Sequence, residues 1–360
     1  MAQDDKRRLI EMLEKLISIR SVTGEENRLV DFLEKHLLEI GLNVGREEID
    51  SRYNLFAYRG KARYLIATHV DTVPPWGFRR AFKPRFGDER IFGRGAIDTK
   101  GQIASLLVAL ENTDAPCAIA LFVDEERDAK GSEEFTPKWK FDGALVLEPT
   151  DFKICTRQAG SIEIRLETRG RSSHGATPLA GKNAIDVFIE IYLALKSMEH
   201  IKNRPKDFKE SGVTLGWIRG GRDCQVVPDR CVGEIDIPIF PGDDISAIKD
   251  QVDEILAKYG AGAQVKIFDQ PVEISRDENV VKLLERAMRG IRRVRYSGMP
   301  AWTDAANLIE KGIPSVVFGA GDLSLAHTER ESIAVDDLLD LCRILKRFIE
   351  LSGMESDQLS

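Results

Sequence analysis

Four short apolar runs in this chain each give way to acidic or imidazole side chains. Tyr64–Ala67 leads into Thr68–His69–Val70–Asp71, and Ala118–Val123 into Asp124–Glu125–Glu126. Ala144–Leu147 leads into Glu148, and Ser315–Phe318 into a glycine-rich loop and then His327. Runs of this length bounded by turn signals predict strands buried on both faces. In an open parallel sheet, ligands bind at the carboxyl ends of the strands. The pattern therefore predicts two histidines and several carboxylates converging at one sheet edge.

Helical periodicity surrounds these runs. Leu9, Leu13, Leu16 and Ile17 share one face. Leu29, Phe32, Leu33, Leu37 and Ile40 share another, after a turn at Ser21–Val22–Thr23–Gly24 and before a capping Gly41. A strand is predicted around Asn54–Tyr58. Gly93–Arg94–Gly95 makes a turn that delivers Asp98 to the start of a helix over Gln102–Glu111. This strand–helix alternation predicts an α/β layered core.

From about Gln158 the texture changes. Ile162, Ile164 and Leu166 alternate with polar residues, the signature of a half-exposed antiparallel strand. A helix over about Lys182–Ser197, strands over Val213–Ile218 and Cys231–Ile239, a helix over Ile245–Tyr259 and a strand over Gln264–Phe268 follow. The β-α-β-β-α-β order is ferredoxin-like. The chain thus divides into an inserted domain, residues 159–274, and a discontinuous domain made of residues 1–158 and 275–360. The core pattern resumes with a helix around Asn279–Gly290 and ends with a long helix over about Val335–Leu351. No internal repeat or low-complexity stretch occurs.

Composition narrows the function. The 360 residues exceed one typical domain. A net charge of −7, with no basic patch interleaved with aromatics, argues against nonspecific nucleic-acid binding. The opening MAQDDKRRLIEMLEKL reads as an amphipathic helix rather than a signal peptide, and no apolar run approaches a membrane span. A cytoplasmic protein without membrane partners is expected. Cys117, Cys155, Cys224, Cys231 and Cys342 are odd in number and contain no CxxC pair, so packing thiols rather than disulfides are expected.

Each chemical signal alone is weak. An HxD tripeptide is common, adjacent glutamates usually face water, and Asp98 after a glycine turn fits a helix cap. Their shared strand-end address is what makes them one site. Carboxylate and imidazole ligands suit Zn²⁺ or a similar ion. Two histidines with three or more carboxylates exceed the needs of one tetrahedral zinc. The surplus suggests two ions about 3.5–4 Å apart sharing a bridging carboxylate. Water held between them has its pKa lowered toward ~7. One carboxylate then stays off the metals to carry protons, and Asp71 is expected to hydrogen-bond the far nitrogen of His69.

The motifs THVDTVP, GRGAIDTKG, VDEE, VLEPT, TDAA with GIPSVVFGAG, and AHTE resemble those of the M20 family of co-catalytic zinc peptidases and deacylases, over about Leu9–Leu351. The closest likeness is to short acetylornithine and acetylcitrulline deacetylases. The resemblance implies a three-layer, zinc-exopeptidase-like catalytic domain and an inserted ferredoxin-like lid through which a homodimer forms. It places His69 and Glu148 on one metal, Glu126 and His327 on the other, and Asp98 between them, where the following peptide is often cis. Glu125 becomes the general base and later the acid, and Asp71 the partner of His69. Ser172–Pro178, followed by Gly181–Ile185, resembles the lid segment whose histidine, here His174, reaches the other subunit's site and stabilises the oxyanion.

The implied activity is hydrolysis of an N-acyl amino acid by metal-activated water. The first expectation is N2-acetyl-L-ornithine, as in arginine biosynthesis, with zinc as the metal and cobalt as the alternative. N-acetyl-lysine, N-acetylcitrulline, succinyl-diaminopimelate, and dipeptide or carboxypeptidase substrates are the neighbouring readings. A non-catalytic metal-binding homologue is the reading of a different class, and the presence of Glu125 argues against it.

Some positions depart from the family pattern. Gln225 stands where asparagine is usual, Pro238 where arginine is common, and Thr99 where methionine or alanine is commoner. Gly319–Ala320–Gly321 replaces GPG, with loop amides expected to receive a substrate carboxylate. His36 and His200 are expected at the surface.

Overall fold

The computed structural model describes residues 2–357. The chain divides into two compact units. One comprises residues 1–156, 274–297 and 303–360, and the other residues 157–273 and 298–302.

The first unit is built on a mixed sheet. Its strands lie in the order Asn43–Ile49, Arg52–Arg59, Cys117–Phe122, Tyr64–His69, Gly143–Leu147, Ser315–Phe318, Ile154–Gln158. The four central strands run parallel, and they are the four apolar runs of the sequence. Every residue of these four is buried, because both faces of a parallel sheet are covered. The flanking strands pair antiparallel. Asn43–Ile49, which the apolar pattern does not predict, joins Arg52–Arg59 through Asp50 and Ser51. Both of these residues have positive φ, as a two-residue hairpin loop demands.

Helices Ala2–Ser18, Lys100–Glu111 and Val335–Asp357 pack on one another. Lys100–Glu111 is buried from Lys100 to Leu110, as an apolar-all-round helix must be. Its start explains a glycine: a Cβ on Gly101 would lie 2.3 Å from the Ala96 carbonyl oxygen, so only glycine lets the helix begin against the turn carrying Asp98. Each fully buried leucine or isoleucine here contributes roughly 1.5–3 kcal/mol of burial energy. His36, expected at the surface, is instead buried, with Nε2 3.0 Å from Glu111 Oε1 on helix Lys100–Glu111. It follows Phe32 and Leu33 by four and three residues and so shares their inward face.

The second unit is a four-stranded antiparallel sheet in the order Thr214–Gly220, Arg230–Ile239, Gly160–Arg169, Gly262–Asp269. Strand alternation turns Ile162, Ile164, Leu166, Ile235 and Ile237 toward helices Ala184–Lys196 and Ile245–Tyr259, forming the unit's own core with Phe188. Asn183 Oδ1 accepts from the Ile185 amide at 2.9 Å and Asp244 Oδ1 from the Ala247 amide at 3.1 Å, starting the two helices. His200 is half-buried rather than exposed, with Nε2 3.1 Å from the Pro238 carbonyl oxygen. Four of the five cysteines are buried, Cys224 alone being exposed, and none forms a disulfide. Among the described residues no helix is long and apolar enough to cross a membrane.

Candidate metal centre

The carboxyl ends of the central strands deliver the expected side chains to one place. His69 ends its strand, and its Nε2 lies 3.0 Å from Asp98 Oδ1, 3.6 Å from Glu148 Oε1 and 3.9 Å from Glu125 Oε2. His327 Nε2 lies 3.2 Å from Asp98 Oδ2 and 3.2 Å from Glu126. Asp98 thus faces a different imidazole with each oxygen. Its side chain does not cap the following helix, whose N-cap is Thr99 without a side-chain bond. The Asp98–Thr99 peptide is cis.

Backbone and buried polar groups hold this arrangement. Asp124 adopts φ +72° and His327 φ +63°, both in the left-handed region that non-glycine residues enter only when held. Arg52 donates to Asp124 Oδ1 at 2.6 Å, and Asn54 Oδ1 accepts from the Val123 amide at 3.1 Å. Together they pin the turn that presents Glu125 and Glu126. Asp71 does more than the sequence suggests. Its carboxylate accepts the amides of Glu125 at 3.2 Å and Glu126 at 3.1 Å and the hydroxyl of Thr23 at 2.8 Å. Towards His69 Nδ1 it offers its backbone carbonyl at 3.1 Å and its carboxylate at 3.4 Å.

Charge is crowded here. Burial pushes the Glu125 and Glu148 carboxyls well above the usual range, and neighbouring carboxylates add to the push. Burial also raises Glu126 and takes Asp304 up to about 7. For the imidazoles burial works the other way, yet the carboxylates prevail. Glu125 and Glu148 hold His69 well above its ordinary value, and Asp98 and Glu126 hold His327 at about 10. Asp98 is lowered: burial opposes this, but His327 and His69 outweigh it.

The donor set fits divalent cations. Single ligand atoms of His69, Asp98 and Glu126 all lie within 4.8 Å of one another. Glu148 Oε1 is buried with no hydrogen-bond partner, a costly state for a carboxylate oxygen unless a cation meets it. Together, buried His69, Asp98 and Glu148, half-buried Glu126 and the exposed His327 form the oxygen and nitrogen ligand set expected for Zn²⁺ and similar ions.

Sequence reasoning missed three supports. Arg94 and Glu331 form a buried ion pair at 2.7 Å. Glu331 Oε1 accepts the amides of Ile97 at 3.2 Å and Asp98 at 3.5 Å, while Arg94 Nη2 reaches the carbonyls of Pro74 and His327 at 3.4 Å each. Gln102 clamps the glycine loop, its Oε1 accepting from the Ala320 amide at 3.1 Å and its Nε2 donating to the Ala320 carbonyl at 2.7 Å. With Thr150 Oγ1 taking the Gly319 amide at 3.0 Å, two of the loop amides expected to receive a substrate carboxylate are already engaged. Asp304, in the TDAA motif, is wholly buried with neither carboxylate oxygen hydrogen-bonded. Trp76, 65 % exposed, sets its indole edge-on to His327 with ring centroids 6.2 Å apart. His174 lies in the second unit, exposed, its Nδ1 accepting from the Ala176 amide at 3.1 Å.

Comparison with known proteins agrees with this chemistry. Residues 65–351 match the model described as Peptidase family M20/M25/M40. The chain is similar to a LysW-lysine/LysW-ornithine hydrolase of Sulfurisphaera tokodaii, at 29% identity over 92% of each chain. It is similar to a probable carboxypeptidase of Emericella nidulans, at 26% identity over 93% of this chain and 87% of the other. Among solved structures, an M20 family metallo-carboxypeptidase from Sulfolobus solfataricus superposes with a TM-score of 0.78 at 18% identity, covering 96% of this chain and 99% of that one. Human carnosine dipeptidase 1 superposes with a TM-score of 0.79 at 15% identity, covering 98% and 97%. At these identities the solved structures speak for the fold.

Proposed function

Because the chain belongs to peptidase family M20/M25/M40, and so is an amide hydrolase, we propose that it removes the acyl group from an N-acylated basic amino acid, ornithine or lysine, with two divalent metal ions, zinc first. The observation that carries this reading is the convergence of His69, Asp98, Glu126, Glu148 and His327 around a half-buried Glu125. His69 and Glu148 would hold one ion, Glu126 and His327 the other, with Asp98 between them. When bound, such ions polarise the amide carbonyl and make water acidic enough to attack near neutral pH.

The chain's own residues supply the rest. Glu125 takes the proton from the attacking water and returns it to the departing amine. Its raised carboxyl suits a group that must both accept and release a proton near neutrality. Asp71 fixes the Glu125 and Glu126 backbone and one face of His69, so base and ligands move as one piece. Trp76 beside His327 offers an aromatic face to the ammonium of a basic side chain. The second unit acts as the lid and as the homodimer interface, and His174 serves the oxyanion in the neighbouring subunit's site.

The relatives named LysW-lysine/LysW-ornithine hydrolases favour lysine or ornithine as the released amino acid. N2-acetyl-L-ornithine remains the simplest substrate of that class. The test is amine release from N-acetylornithine, N-acetyl-lysine, N-acetylcitrulline, N-succinyl-diaminopimelate and a set of dipeptides, with zinc or cobalt supplied. Preferential, chelator-sensitive cleavage of an acylated ornithine or lysine is expected. Cleavage of dipeptides alone would move the protein to the peptidases of the same family.

A further inference from the structure

The turn from Asp124 to Ala129 carries both Glu125 and Glu126, and its shape does not hold itself. Its first and last residues, neither of them glycine, have φ +72° and +52°. Residues in that left-handed region persist only where surrounding groups hold them there. The Ala129 amide closes the turn on the Asp124 carbonyl at 2.7 Å. Helix Lys130–Glu134 follows directly.

The two ends are held by different groups. Arg52, Asn54 and Asp71 bind residues 123–126, the start. At the other end the Ala129 carbonyl accepts from the Ser132 hydroxyl at 3.2 Å and from Asn307 Nδ2 at 3.4 Å. The same Nδ2 donates to Ser132 Oγ at 2.9 Å. Ser132 is buried and Asn307 half-buried. The chemistry of this clamp is selective. The Ala129 carbonyl can only accept, and the Ser132 hydroxyl spends its single proton on that carbonyl, so both need a donor. An amide NH₂ supplies two hydrogens; an aspartate of the same size supplies none. Asn307 stands on helix Ala305–Glu310, which packs on strands Ser315–Phe318 and Gly143–Leu147. The clamp therefore ties the turn to the part of the sheet that leads into Glu148.

We propose that Asn307 is a positioning residue for the hydrolysis: by clamping Ala129 it keeps the Asp124–Ala129 turn in the shape that sets Glu126 as a ligand and Glu125 as the base. The roles of those two glutamates rest on the reading given under Proposed function. The consequence is selective. The turn carries the candidate ligand that Glu126 and His327 would share an ion through, whereas His69 and Glu148 stand at the ends of other strands. Loss of the clamp should loosen one ion more than the other.

The test titrates the metal-free full chain with zinc by calorimetry, comparing wild type with N307D, S132A and N307D/A129G. Two binding steps are expected for wild type. N307D should weaken one step by about 10- to 100-fold and leave the other nearly unchanged. Its kcat should fall about tenfold or more with KM little altered, because a displaced base is felt in the transition state. S132A, which leaves Asn307 on the Ala129 carbonyl, should show the same split at smaller size. Glycine at 129 adopts the left-handed conformation without a Cβ penalty, so N307D/A129G should recover much of the lost zinc step and of kcat, although the clamp's hydrogen bonds stay broken. A residue that only stabilised the fold would lower the melting temperature without this split or this rescue. Zinc steps like those of wild type in both single variants would overturn the proposal. So would equal weakening of both steps, or no recovery in N307D/A129G. If wild type binds zinc but cleaves no N-acylated amino acid, the functional reading fails while the zinc steps still decide the clamp.

Discussion

Replacing Glu331 by glutamine tests whether the Arg94–Glu331 pair positions the metal centre. The two side chains are 2% and 1% exposed and 2.7 Å apart, so neither is solvated. The variant keeps the volume and an acceptor for the Ile97 amide but leaves the Arg94 guanidinium buried and unpaired. Breaking a buried pair from one side costs about 3–5 kcal/mol, which should appear as a lower urea midpoint. The pair also holds the Asp98 amide and the His327 carbonyl. Loss of such support typically weakens a metal site by about 10- to 100-fold, and isothermal titration of the metal-free protein with zinc would read this. A second variant, R94M/E331L, separates the two effects. Replacing both partners by apolar side chains should recover much of the stability, but the lost hydrogen bonds to Asp98 and His327 should keep metal affinity low. If R94M/E331L bound zinc as tightly as wild type, the positioning argument would be wrong.

Three further outcomes are expected. Glu125→Gln should retain its bound metal by elemental analysis while kcat falls by about 10²- to 10⁴-fold; equal loss of metal and activity would make Glu125 a ligand rather than the proton carrier. Prolonged chelation should abolish activity and lower the melting temperature, both returning with zinc or cobalt; a melting temperature indifferent to chelator would argue against metal at the buried Glu148 and His69. Glu111→Gln should cost stability in a defined pH window. Burial pushes the Glu111 carboxyl up, but His36 and Arg8 together hold it down at about 2. A carboxyl lowered on folding stabilises the protein above its unfolded pKa of about 4.3, and that stability is lost as pH falls toward 2. The gap between variant and wild type should be about 1–3 kcal/mol at pH 7 and close in that acid window; a gap independent of pH would exclude the ion pair as its cause.

The sheet centre was legible because four parallel strands leave a strong mark, unbroken apolar runs, three of them followed within two residues by a candidate ligand or base. The second unit begins close to a change of period between Gln158 and Ile162, whereas residues 298–302, which cluster with it, leave no such mark in the sequence. Asn43–Ile49 was not, since an edge strand with three charged residues and a glycine leaves little apolar trace, and its turn uses Asp50–Ser51 instead of asparagine–glycine. Long-range pairs were invisible for a different reason: Arg94 and Glu331 are 237 residues apart, and no local period couples them. His36 was misplaced because its polarity outweighed its spacing from Phe32 and Leu33, which puts it on the inward face; the Glu111 that meets it there lies on another helix. The engaged amides of the Gly319–Gly321 loop likewise depend on Gln102 and Thr150, distant in sequence.

The strand Ser315–Phe318 sits between Gly143–Leu147 and Ile154–Gln158, although it is made last. During synthesis, the slot it fills stands open while the whole second unit is translated. The same delay separates Glu148 from His327, 179 residues later by 327 − 148. At the usual ~5–20 residues per second this is roughly 10–40 s. A nascent chain therefore carries an incomplete set of candidate ligands and an unpaired sheet edge for that interval, while the second unit, continuous but for five residues, has nearly all it needs to fold first. The candidate ligand set is complete only once His327 has been made.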